Sequence, residues 1–152
     1  MKNILPRDRD VWLLVTEEAQ IESNGKMSLR GFLGGERIQV PTDTRFPTAI
    51  SLTLVYLLRH GVGKFRATFQ AQDPVGNLTK VQYLSTVEKL SPVENHGLSV
   101  VLPLMMLPMF GRYRLILTLD DKRYERALSI APETFQTAGN DPLEVNARTA
   151  VQ

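Results

Sequence analysis

Cysteine is absent from this chain. That excludes a disulfide framework, a thiolate nucleophile and any cysteine-ligated zinc or iron–sulfur site, and it fits a reducing cytoplasm. Long apolar runs are missing as well. No stretch approaches the length of a membrane-spanning helix, and the opening MKNILPRDRDVWLLV sets acids and a proline before a short apolar run, unlike a secretory signal. An excess of one charge is lacking too: the formal net charge is +2, with both signs mixed along the chain. No basic stripe for a phosphate backbone is evident, so neither nucleic acid nor a membrane is expected as a partner. Histidine occurs only twice. Gly-x-Ser-x-Gly, His-Glu-x-x-His, a Walker loop and a dinucleotide fingerprint do not occur, and Gly34-Gly35 lacks the strand-to-helix setting of a phosphate loop. No cofactor is expected, and the reading leans away from an enzyme.

What is present is β-patterning over most of the 152 residues. It is strongest in GRYRLILTLDDKRYERALSI, residues 111–130. With Asp121-Lys122 as the turn, Leu119 pairs with Tyr124, Leu117 with Arg126, Leu115 with Leu128 and Tyr113 with Ile130, all on one face. Thr118, Glu125, Ile116, Ala127, Arg114 and Ser129 take the other face. A hairpin with one buried side has this form, and a slip of one residue would put Glu125 among the leucines. Arg126 is the exception on the apolar side. Arg112, Arg114, Arg123 and Arg126 could hold an anion, although a solvated or ion-paired face is the preferred account of them.

Earlier in the chain, residues 1–10 read as a loose polar lead-in. VWLLVTEEAQIE forms a strand, Ser23-Asn24-Gly25-Lys26 a turn, and Met27 to Phe32 a second strand, with Gly31, Gly34 and Gly35 marking a bulge or close approach. Residues 36–47 read as a crossing. Strands follow at 50–59, at KFRATFQAQD with Phe65, Ala67, Phe69 and Ala71 inward, at 78–90 and at 98–107, with a turn at Asp73-Pro74-Val75-Gly76-Asn77. The fold class this predicts is an all-β, antiparallel, immunoglobulin-like sandwich of about eight to nine strands over residues 1–132. Residues 133–152 lose the β period and read as a tail or linker.

Glu17, Asn24-Gly25-Lys26, Gly31, Phe46-Pro47 and Asp73-Pro74-x-Gly76-Asn77 occur in that order. In this the chain resembles a family of small uncharacterised bacterial β-sandwich proteins, over roughly residues 11–130. The resemblance implies the sandwich and a bacterial source, and brings no catalytic residues.

Strict alternation of strand direction sends successive loops to opposite ends. One end then collects 22–25, 60–63, 91–97 and 120–122; the other collects 34–47, 73–77 and 108–111. Asp73 is thereby kept from joining Asp120 and Asp121 in a calcium cluster, and Asp43 with Asp73 lacks the acid spacing of a hard-cation loop. His60 and His96 fall at the first end with Glu22, Glu94, Asp120 and Asp121. Imidazole and carboxylate together can bind zinc or exchange protons near neutrality, and two solvated loop histidines are the bland counterpart. The stretch LSVVLPLMMLPMF, residues 98–110, is apolar on both parities and interrupted by Pro103 and Pro108. Either other parts of the chain cover its second face, or Val101, Pro103, Met105, Leu107 and Met109 form a contact surface at a sheet edge. The function expected is therefore non-enzymatic: a structural or protein-interaction module, acting on a partner or on a second copy. A small-molecule or metal-dependent activity at the end carrying His60 and His96 is the alternative.

Overall fold

The computed structural model describes residues 2–21, 23, 26–32 and 37–133. Nine strands follow in chain order: β1 Val11–Ile21, β2 Met27–Phe32, β3 Arg37–Val40, β4 Thr48–Leu58, β5 Gly63–Gln72, β6 Gln82–Lys89, β7 His96–Leu107, β8 Gly111–Leu119 and β9 Lys122–Pro132. Among the described residues the only helix is a 3-10 turn at Asp8–Asp10. The strands form two sheets, β2-β1-β4-β7 and β3-β9-β8-β5-β6. The core lies between them, where β4 contributes Leu52, Leu54, Tyr56 and Leu58, β5 Phe65 and Phe69, and the last hairpin Leu115, Leu117, Tyr124 and Leu128. Of the expected tail, residues from 134 onward lie outside the described residues, as do Gly34 and Gly35.

Alternation decides these faces as it should. β5 reads buried at Phe65, Ala67, Phe69 and Ala71 and open at the intervening Lys64 and Arg66. In β8 and β9 the predicted inward set is inward, but the pairing is shifted by two residues: Leu117 faces Tyr124, Leu115 faces Arg126 and Tyr113 faces Leu128. A shift of two preserves every face. Its cause is Asp120, which occupies the left-handed region at φ 55° and is fixed to β5. Its amide donates to Arg66 O (2.8 Å), and its Oδ1 accepts from Arg66 N (2.9 Å). The turn is thus Asp120-Asp121, with Leu119 opposite Lys122. Leu117 is fully buried and Thr118 only half-buried. Leu117→Ala is therefore expected to cost about 2–5 kcal/mol of unfolding free energy, and Thr118→Ala far less. Urea titrations of the two variants check this, and equal losses would mean the inward face is misassigned.

Two expectations need correction. The stretch 36–47 is not only a crossing, because β3 lies in it and pairs parallel to β9, Arg37 with Ser129 through Val40 with Pro132. The fold is two β-sheets, one of them curled and mixed rather than wholly antiparallel. The extra strand also displaces the direction count for everything before it. β1 runs antiparallel to β4, from Val11↔Leu58 to Thr16↔Thr53, so Ile21↔Met27 sits at the end away from the histidines. β6 begins at Gln82 rather than 78, since 78–79 bonds back onto β5 through Gln72↔Leu78 and Thr79 N to Ala71 O (2.9 Å).

The lead-in is not loose either. Ile4 and Val62 exchange backbone hydrogen bonds of 2.8 and 2.9 Å, and Asn3 Nδ2 donates to Lys64 O (2.7 Å). Pro6 O accepts from Tyr124 Oη (2.7 Å) and from Lys122 Nζ (3.0 Å). Burial next to Asp8 pushes the Tyr124 phenol up to about 12. Arg126, the exception on the apolar side, donates to Asp8 O and Val11 O, both at 2.7 Å, and to Asp8 Oδ1 at 3.0 Å. Residues 3–10 form a strap across one end of the sandwich. Deeper in, the Tyr56 hydroxyl is buried with no hydrogen-bond partner, and burial raises its pKa against the opposing charge of Arg126.

Candidate functional site: a cleft between the two sheet edges

The histidine end was the first candidate. β4 delivers His60 into a turn in which both His60 (φ 59°) and Gly61 (φ 71°) are left-handed. Gly61 is required there twice over, because a Cβ would also come within 2.9 Å of Ile4 O in the strap. His60 Nε2 lies 3.8 Å from Asp10 Oδ1, with its ring largely exposed. His96 opens β7 opposite Leu58. Burial lowers its pKa and the Lys89 charge adds to that, with Glu94 opposing.

Two of the carboxylates expected to join the histidines are already engaged. Asp120 holds the hairpin to β5, and Glu94 Oε1 accepts from Leu90 N (3.1 Å). Asp121 is exposed at the turn, and Glu22 lies outside the described residues. Lys89 is buried, its ammonium wrapped by the β6–β7 loop and donating to Ser91 O (3.4 Å) and Glu94 O. Burial lowers its pKa, opposed by Glu94. Among the described residues no three His, Cys, Asp or Glu side chains are grouped to hold a metal ion.

The β7 candidates separate into two sets. β7 is the outer strand of its sheet, the place where proline is tolerated. Its pairing with β4 moves from Leu52↔Leu102 to Ile50↔Met105, three residues on β7 against two on β4. This is a β-bulge at Pro103-Leu104, and it reverses which parity faces inward. Leu98, Val100 and Leu102 point into the core before it, and Met105 and Leu107 after it. Val101 and Met106 point outward, 60% and 57% exposed. The apolar character of both parities is thus explained by one extra residue. Met105 and Leu107 are buried against the core; Met109 is half-buried beside the Tyr113 hydroxyl, which donates to its carbonyl (2.7 Å).

Beyond the bulge the sandwich opens. β7 and β6 are the edge strands of their sheets on the same side. Between them, at the end away from the histidines, lies a cleft of about 700 Å³. Phe69 and Ala71 of β5 form one wall, Leu102, Met105 and Met106 of β7 the other, and Leu78 and Val81 of the β5–β6 connection the rim. Leu78 (53%) and Val81 (62%) are, like Met106, more than half exposed. Polar groups are confined to its margin, among them Lys80, Gln82 and Asp73. Asp73 resists becoming a general acid. Burial pushes its carboxyl up, but hydrogen bonds from the Asn77 amide and side chain, Val75 and Gly76 outweigh that and hold its pKa below the usual range. Such a cleft suits an apolar guest, with methionine side chains that repack readily. Sequence reasoning missed Leu78 and Val81 because it assigned them to a strand; the signal available was the loss of alternation between 78 and 82. A scan of protein-family models and a search of curated proteins both return no match for this chain.

Proposed function

We propose that this chain is a non-enzymatic interaction module with an immunoglobulin-like sandwich, which holds an apolar segment of a partner protein in the cleft between β7 and the β5–β6 connection. The observation that carries the reading is the cleft itself: apolar walls from both sheets and a rim of Leu78, Val81 and Met106 left open to solvent. Exposed large apolar side chains grouped around a concavity are a feature of contact sites, whereas scattered ones are ordinary surface. The immunoglobulin-like assignment is supported by β4 and β7 lying together in one sheet and β9, β8 and β5 in the other, the B, E and G, F, C arrangement of such sandwiches. Kinship to small bacterial sandwich proteins goes with the proposal through Gly31, Phe46-Pro47 and the Asp73 turn, and a cytoplasmic setting through the cysteine-free chain.

The test is site-specific photocrosslinking in cells, with the reactive group at Met106, at Val81 and, as a control at the opposite end of the fold, at the exposed Asp121. A discrete adduct from the two cleft positions, lost when Leu78 is changed to Asp, is expected. Adducts that are the same from all three positions would overturn the reading.

A further inference from the structure

The outer face of the five-stranded sheet gathers charge that the linear chain disperses. Alternation sets Lys64 and Arg66 of β5, Arg112 and Arg114 of β8, and Arg123 of β9 on that side. Arg37 of β3 joins them, being level with outward-facing Ser129. Against these six cations stand two acids, Glu88 and Glu125, in a chain whose formal net charge is only +2. The rest of the molecule is correspondingly acidic. Glu125 is shared by two guanidinium groups, Arg114 at 3.3 Å and Arg123 at 3.5 Å. Among the described residues Arg37 and Arg112 have no carboxylate within salt-bridge distance.

The cations are not evenly spread. Arg37, Ser129 and Arg112 lie in one cross-strand row, so the two arginines flank a small residue at about 10 Å, two strand spacings. Arg114 stands next along β8, about 6.7 Å from Arg112. Beside them is a groove of about 610 Å³, floored by Ala127 and walled by the turn of Asp73, Pro74 and Gly76.

We infer that this face is a docking surface for an extended acidic segment of a partner protein, whose carboxylates meet Arg37, Arg112 and Arg114. An extended chain laid along β8 presents alternate side chains with the same repeat of about 6.7 Å that separates Arg112 from Arg114, and guanidinium groups take carboxylates in a two-pronged fashion. A single-stranded nucleic acid would need stacking platforms. Tyr83 is the one exposed aromatic on this face, and Arg66 already lies 5.2 Å above its ring. A membrane would need apolar side chains to insert, and the apolar Ile116 of this face is 2% exposed. The surface meets the cleft at the Asp73 turn, but Arg112 and Arg114 line only the groove, and the cleft opens between the sheets.

The experiment is fluorescence anisotropy with the full chain and a short labelled peptide of alternating Glu and Thr, at low and rising salt. A labelled oligothymidylate of equal charge and vesicles of phosphatidylserine serve as competing probes. Salt-sensitive binding of the peptide is expected, weakened about tenfold by Arg112→Gln with Arg114→Gln and unchanged by Arg59→Gln just past the end of β4 or by Val81→Asp in the cleft. Both arginines are exposed, so the double variant should keep its circular dichroism. No peptide binding at low salt, equal binding by the folded double variant, or tighter binding of the oligothymidylate or the vesicles would each overturn the inference.

Discussion

Leu107→Asp is expected to unfold the protein, while Met106→Asp, one residue earlier on the same strand, leaves it folded. Leu107 is fully buried against the core, opposite Thr48 of β4. A carboxylate there has no cation to pair with and no water to hydrate it. Leaving a buried charge uncompensated costs about 3–5 kcal/mol, added to the lost apolar contact, and this approaches the whole stability of a domain this size. Met106 is 57% exposed, so its replacement should change stability by less than about 1 kcal/mol. Without the bulge at Pro103-Leu104, the parity of Leu98, Val100 and Leu102 would carry through to Met106 and reverse this pattern. Urea unfolding of the two variants decides it. A stable Leu107→Asp protein with a collapsed Met106→Asp would show that the register of β7 does not shift.

Arg126→Ala should destabilise the protein by about 2–4 kcal/mol, out of proportion for a surface-reaching arginine. Its guanidinium donates to the carbonyls of Asp8 and Val11, and hydrogen bonds from a charged donor contribute about 1.5–3 kcal/mol. The additional contact with the Asp8 carboxylate adds little, since that side chain is 68% exposed and screened by water. Arg123→Ala is the matched control: its partner Glu125 is an exposed ion pair at 3.5 Å, for which under about 1 kcal/mol is expected. Thermal or urea unfolding, with hydrogen exchange at Ile4 and Val62, would separate the two. If the arginines prove equivalent, the strap owes its place to something other than Arg126.

Much of the fold was legible because period two is a strong signal. Phe65 to Ala71 and Tyr113 to Leu119 revealed their inward faces, and Arg126 was recognisable as an inward cation. What could not be read depended on contacts between distant residues. Asp120 selects the hairpin register through Arg66, on another strand. β3 is four residues long with Arg37 and Gln39 turned outward, too short and polar to be told from a loop, and missing it moved the Ile21↔Met27 end of the first hairpin to the wrong side. The strap is held chiefly by carbonyl oxygens, which every residue possesses, so nothing in residues 3–10 announces a partner more than a hundred positions away. At the cleft, the apolar excess of residues 98–110 was visible, but its meaning was not. An additional residue in the strand and a second apolar surface produce the same letters, and only the pairing with β4 distinguishes them.

The short reach of β3 has a consequence for how this protein stays apart from its own copies. β3 covers β9 only from Ser129 to Pro132, so from Lys122 to Leu128 the last strand has no neighbour on that side among the described residues. A bare, straight strand margin is a template on which another chain can polymerise. The strap held by side chains of this strand offers no ladder of its own over residues 6–10: Pro6 has no amide hydrogen and Asp8–Asp10 is coiled into a 3-10 turn. Lys122, Tyr124 and Arg126 fasten it through side chains. Weakening that fastening should therefore expose the protein to concentration-dependent fibril or strand-exchange assembly along β9, before any general loss of the sandwich.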